Sequence, residues 1–209
     1  ECLVDEFEGT SLGSQWTDDA GGDGSYVVVN GAITFNGVSH VRSVRSFATP
    51  LIIHATFDQT FDQYNRPDCE NHYIKLSTEP WDQGGHSWDY EPGVVTFMWD
   101  CWGRYIYGQT DYDSTSWHGF EETTYDIEIT VDGSTATFLS TYGYGGNGEA
   151  DTLVLQDTIG SSSEGLYVYV GADGGVSATW HSVEICPWLL APTAAPTAAP
   201  TTSPAPTTT

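Results

Sequence analysis

The sequence predicts an all-β domain, a two-sheet antiparallel sandwich, followed by an extended, polyproline II-like tail. Three observations carry this. Nothing in residues 1–186 sustains the apolar period of a helix, and glycine and turn dipeptides interrupt too often for one. Short β-branched and aromatic runs recur instead, about a dozen times, with turn residues between them. Six of the ten prolines fall in 187–209, where there is no charge and little to bury, so that segment is set apart from the domain.

The elements follow in order. Strands are expected at 3–7, 41–47, 51–58, 71–77, 94–99, 103–108, 152–156, 166–170 and 176–186. Two hairpins are plainer. YVVVNGAITF (26–35) joins two strands through Asn30-Gly31, the dipeptide that a two-residue type I′ turn prefers. In 124–141, Tyr125, Ile127, Ile129 and Val131 alternate with Asp126, Glu128 and Thr130, giving one buried and one wet face, before Asp132-Gly133 turns the chain. On 94–99, Phe97 and Trp99 are in phase with Val95 and are assigned to the interior.

Composition narrows the function. There are 29 acidic and five basic residues (Arg42, Arg45, Arg66, Lys75, Arg104), a net charge of −24 carried wholly by the domain. A field of that sign repels nucleic acid and anionic membranes and attracts cations. No apolar run is long enough to cross a bilayer as a helix, so no membrane insertion is expected. The first residue is Glu1, which suggests a removed signal peptide and a secreted, extracellular protein. The four cysteines show no zinc spacing and read as disulfides. Of three pairings, Cys2–Cys186 with Cys69–Cys101 is favoured, because sandwiches often set their first and last strands side by side.

LVDEFEGTSLGSQWT (3–17), with its acidic-Phe segment leading to a Leu and a Trp, resembles the opening strand and turn of concanavalin A-like lectin/glucanase domains. YDIEITVDGSTATFL (125–139) is similar to paired strands of that superfamily, and VEIC (183–186) to its closing strand. The resemblance covers the extent of the domain and marks a fold more than a family. It implies a jelly roll whose concave sheet often faces carbohydrate.

The glucanases of that superfamily carry three carboxylates on one strand, at a spacing that turns them to the same cleft. Here Asp126 and Glu128 supply two, and the third is missing at both ends, so no catalytic residue is assigned. A lyase using His72 with Tyr73, or Tyr105 and Tyr107, is conceivable, but five basic residues leave little to neutralise a substrate carboxylate. No phosphate-binding loop is present.

Binding signals are stronger. Residues 81–117 hold ten aromatics, and Trp81, Trp88, Tyr90, Trp102, Tyr112 and Trp117 are candidates for a carbohydrate or partner surface: a ring covers a sugar's apolar face while neighbouring carboxylates and amides take its hydroxyls. Asp18, Asp19 and Asp23, and more loosely Asp58, Asp62, Asn65, Asp68 and Glu70, make structural calcium a candidate cofactor. There is no Asn-x-Ser/Thr sequon, but Thr193, Thr197, Thr201, Thr202, Ser203, Thr207, Thr208 and Thr209 sit in a Pro-rich tract with the composition of an O-glycosylated stalk.

The sequence thus reads first as a non-catalytic structural subunit of an extracellular glycoprotein assembly or filament. In that reading a lectin-like head (1–186) self-associates through its O-glycosylated tail (187–209). The alternative is a secreted carbohydrate-binding module. The third reading is a glycoside hydrolase or polysaccharide lyase.

Overall fold

The structure, a computed structural model, describes residues 1–18, 24–59, 72–78, 94–99, 103–107, 112–116, 123–133, 135–141, 151–156, 165–173 and 177–188. Every regular element among them is a strand: β1 (Leu3–Asp5), β2 (Trp16–Asp18), β3 (Ser25–Val28), β4 (Ile33–Asn36), β5 (Ser39–Ser43), β6 (Leu51–Gln59), β7 (His72–Ser77), β8 (Val94–Trp99), β9 (Gly103–Tyr107), β10 (Tyr112–Ser116), β11 (Thr123–Asp132), β12 (Thr135–Thr141), β13 (Asp151–Gln156), β14 (Tyr167–Ala172) and β15 (Ser177–Pro187). An eight-stranded sheet runs β13-β12-β11-β6-β15-β4-β3, with β1 also on β15, and a seven-stranded sheet runs β10-β9-β8-β7-β14-β5-β2. Every pairing is antiparallel. β2 and β10 are absent from the sequence reading, because WTD and the polar YDSTS carry little strand signal of their own.

The inner faces of the two sheets form the core. Ile53, Ala55 and Phe57 of β6 and Ile127, Ile129 and Val131 of β11 meet Ile74, Leu76, Val95, Phe97, Val168 and Val170 from the other sheet. Val95 and Phe97 are therefore interior as expected, while the side chain of Trp99 lies outside those described. On β11 the alternation holds: Tyr125, Ile127, Ile129 and Val131 are buried, and Asp126, Glu128 and Thr130 look outward. At β15 a bulge between Trp180 and Ser182 shifts the register against β6. The extra residue reverses the alternation, so that Trp180 and Val183 both reach the core and His181 turns out.

Both hairpins form. Val29 N–H donates to the Ala32 carbonyl (3.0 Å), and Asn30 and Gly31 take positive φ (54° and 81°), as a type I′ turn requires. In the second hairpin Asp132 still pairs with Thr135 as the last strand residue, and the reversal begins one residue later than Asp132-Gly133 implied, at Gly133 (φ 58°).

β1 lies beside β15, with Leu3 opposite Ile185, which brings Cys2 and Cys186 to a Cα separation of 4.3 Å and joins them as a disulfide. Cys69 and Cys101 lie outside the described residues. The opening motif has a structural purpose. The Asp5 carboxylate, nearly buried, accepts hydrogen bonds from Phe7 N–H (2.7 Å), Gln15 Nε2 (2.6 Å) and Trp16 Nε1 (2.7 Å). One side chain thus fixes the left-handed turn at Phe7 (φ 50°) and anchors Trp16 against it, tying the first strand of one sheet to the edge of the other.

Candidate functional site

β7 is buried along its whole length, so both faces of the seven-stranded sheet are covered at its centre. His72, Ile74 and Leu76 point inward; Tyr73, Lys75 and Ser77 point to the outer face. The pairing of His72 with Tyr73 in one site is thereby overturned. Adjacent strand residues face opposite sides, and His72 stacks on Phe57 (ring centroids 4.4 Å) inside the core.

The register assembles the outer face in rows. Along one row stand His40, Gly171, Tyr73, Met98, Tyr105 and Ser114, contributed by β5, β14, β7, β8, β9 and β10. Along the next stand Arg42, Tyr169, Lys75, Thr96 and Tyr107. Gly171 explains how the first row closes up. A Cβ there would lie 2.5 Å from the Ser39 carbonyl oxygen, 2.7 Å from His40 Cβ and 2.8 Å from Tyr73 Cζ. In the space left by the missing side chain, His40 Nδ1 and the Tyr73 hydroxyl form a 2.9 Å hydrogen bond. Tyr169 meets the His40 ring edge-on at 5.4 Å, Lys75 Nζ lies 5.9 Å from the Tyr73 ring centre, and the Arg42 guanidinium covers the Tyr167 ring at 5.0 Å.

Exposure grades across this face. Lys75 and Tyr169 are 0% exposed and His40 and Tyr73 2%, whereas Arg42, Tyr105 and Tyr167 are half-buried. Burial, with the nearby Asp173 carboxylate and Tyr169, pushes the Tyr73 phenol far above its ordinary value, so it stays protonated. Two of the five basic residues of a strongly acidic chain, Arg42 and Lys75, stand in one row two strands apart. The sequence showed that cations are scarce but not that these two share a face, and their placement on either side of β14 is a product of the topology.

Asp126 and Glu128 lie on the other sheet. They face outward from the eight-stranded sheet, where Glu184, His54 and Glu128 share one cross-strand row and Ser182, Thr56 and Asp126 the next. Thr56 Oγ1 donates to Asp126 (2.9 Å), and His54 Nδ1 is 3.7 Å from Glu128. Beyond them Asp58 accepts from Thr124 (2.7 Å) and contacts His181 (2.7 Å). A shallow pocket of about 290 Å³ opens there, lined by Val4, Glu6, His54, Thr56, Asp126 and Glu184 among others.

Asp18 stands on β2 opposite Val41, with the Tyr26 hydroxyl 3.4 Å from its carboxylate; Asp19 and Asp23 lie outside the described residues, as do Asp62, Asn65, Asp68 and Glu70. Among the described residues the one grouping with metal-ligand proximity is Cys2, Glu184 and Cys186, and its two sulfurs are already joined to each other. A disulfide offers no thiolate, so this is not a metal site. Of the aromatic candidates, Tyr112 is on β10, the edge strand of the seven-stranded sheet. Trp81, Trp88, Tyr90, Trp102 and Trp117 lie outside the described residues, as do the threonines and Ser203 of the tail.

Comparison with known proteins gives the class of fold. No protein-family model matches the sequence, and no curated protein matches it. Solved structures do match. Lectin II from Ulex europaeus superposes with a TM-score of 0.65 at 11% identity, over 88% of this chain and 97% of that one. The Ca2+/Man2-bound exoplasmic/lumenal domain of VIP36 gives 0.65 at 9% identity, over 92% and 90%. The xylan β-1,4-xylosidase from Bacillus halodurans C-125 gives 0.59 at 11%, over 87% of this chain and 38% of that chain. The chain has the concanavalin A-like jelly-roll fold, a fold shared by lectins and glycosidases.

Proposed function

We propose that this protein is a secreted carbohydrate-binding, lectin-like domain spanning 1–186, and that it takes glycan on the outer face of the seven-stranded sheet. The observation that carries the reading is the accessible part of that face: half-buried Tyr105 and Tyr167, with the Arg42 guanidinium over the Tyr167 ring, beside the buried His40–Tyr73 pair and Lys75. A sugar site needs flat apolar rings with hydrogen-bonding groups between them. In the chain, Trp81, Trp88, Tyr90, Trp102, Tyr112 and Trp117 belong to this sheet's strands or to segments adjoining them, and the proposal includes them. Residues 187–209 serve as an O-glycosylated stem. The filament-subunit reading rests on the tail and on the missing third carboxylate, and self-association rests on the tail, most of which lies outside the described residues. The fold likeness favours the lectin reading over both.

Retention on a glycan array tests this. Tyr105→Ala and Tyr167→Ala should each weaken binding roughly tenfold, about 1.4 kcal/mol. Failure to retain any glycan, or binding unchanged in both variants, overturns the proposal.

A further inference from the structure

The Cys2–Cys186 disulfide has a charged neighbour that joining the termini does not require. Continuing the β1–β15 register by one residue sets Cys2 opposite Cys186, and the inward Leu3 and Ile185 turn both sulfurs to the outer face of the eight-stranded sheet. Glu184, two residues before Cys186 on the same strand, shares that face. Its Oε1 lies 3.2 Å from Cys186 Sγ, and a carboxylate oxygen is within 4.8 Å of both sulfurs. A disulfide sulfur has no proton to donate, so the carboxylate gains no hydrogen bond there. Cys2 is exposed, while Cys186 and Glu184 are half-buried, so a small reagent reaches the bond from solvent and meets the carboxylate beside it. Arg45, which donates to the Glu1 carbonyl (2.9 Å) and covers the Phe47 ring, is a cation at the same end of β1.

We propose that Glu184 is an electrostatic guard of this disulfide, slowing its reduction by thiols and most of all by anionic ones. The bond joins the two ends of the domain directly before the Pro-rich tract, so the guard sets how long β1 and the base of the tail stay tied together in a reducing medium.

Reduction begins when an external thiolate attacks one sulfur of the bond. The thiolate's electron pair forms a new S–S bond, the old one breaks, and the other cysteine leaves as a thiolate. A second external thiolate attacks the mixed disulfide, releasing the remaining cysteine and the oxidised reagent, and protons from solvent complete the two thiols. Negative charge is therefore shared by the attacking, central and leaving sulfurs in each step. Whichever cysteine is attacked, both protein sulfurs stand within reach of the Glu184 charge. Attack on the exposed Cys2 sends the electron pair to Cys186, the sulfur that the carboxylate touches. Glu184 thus opposes both the approach of an anion and the departure of the thiolate.

The experiment reduces the full chain and its Glu184→Gln variant at low ionic strength with three thiols. These are 2-mercaptoethanol, glutathione, whose thiolate form carries an extra negative charge, and cysteamine, whose ammonium offsets the thiolate. Alkylation of quenched samples and mass spectrometry of the Cys2 and Cys186 peptides follow this bond alone. Arg45 and the rest of the acidic surface are common to both proteins and cancel in the ratio of rates. Glu184→Gln should speed reduction by 2-mercaptoethanol about fivefold, the factor for one unit charge about 4 Å away in water. The acceleration should be larger with glutathione and smaller with cysteamine. In about 1 M salt, where the Debye length is about 3 Å, the glutathione acceleration should shrink at least twofold. Unchanged rates overturn the inference. Slower reduction of Glu184→Gln also overturns it, because the carboxylate would then be aiding exchange as a proton acceptor. An acceleration equal for all three thiols and indifferent to salt does so too, since loosened packing would be its cause. If Glu184→Gln fails to fold, Glu184→Asp draws the charge back from the sulfurs and should give the same order of thiols with a smaller rise; no rise there counts equally against the guard.

Discussion

Acid should destabilise this fold through one core histidine. His72 is 1% exposed, stacked on Phe57 and edge-on to Trp180 at 5.4 Å. Burial pulls its pKa down from 6.5 to about 3, while the Thr179 backbone and the Asp58 carboxylate pull weakly the other way. A folded-state value below the unfolded one means that the unfolded chain takes up the proton first. The contribution to stability is therefore complete above pH 6.5 and is lost as pH falls from there towards 3. At about 1.36 kcal/mol per pH unit, lowering the pH to 4.5 removes roughly 2.7 kcal/mol, and the whole window is worth on the order of 5 kcal/mol. Guanidinium unfolding of the wild type and His72→Leu at pH 7.5 and 4.5 measures this. The variant loses the stacking on Phe57 at both pH values, so that cost cancels in the comparison, as do the carboxylates and other histidines common to both proteins. The wild type should lose about 2.7 kcal/mol more than the variant between the two conditions. Equal losses would refute the buried neutral histidine.

The disulfide and the opening turn give two further expectations. Cys2–Cys186 closes a loop with a sequence separation of 184, so Cys2→Ser/Cys186→Ser should lose about 5 kcal/mol in the chain-entropy account. A loss below about 1 kcal/mol in guanidinium unfolding would show that the paired strands β1 and β15 hold the termini without it. Asp5→Ala strands the Phe7 amide and the Trp16 indole N–H and should cost about 3–5 kcal/mol in thermal or denaturant unfolding. A cost within about 0.5 kcal/mol would mean that water replaces the carboxylate there.

What depends on neighbours in the chain was legible in the sequence. Asn30-Gly31 makes its hairpin because the two positive φ angles are a local requirement that this dipeptide meets. The alternation of β11 was legible because one face is buried and the other wet. β7 defeats the same reasoning: HYIKLS is buried on both faces, so polarity does not report direction, and the inward His72 could not be told from the outward Tyr73. The bulge at His181 likewise leaves no periodic mark, since it reverses the alternation within a continuous strand.

Composition and pattern alone determined an acidic β-sandwich and its separate tail composition, and favoured Cys2–Cys186, a bond that the pairing of β1 with β15 then makes. Only the tertiary structure decided which polar residues meet. His40 and Tyr73 are 33 residues apart and belong to strands that do not pair with each other. They touch because β14 lies between β5 and β7 and offers a glycine, Gly171, where any side chain would hold them apart. Strand order is set by how two whole sheets bury their inner faces, a property of the assembled core that no local stretch of sequence carries.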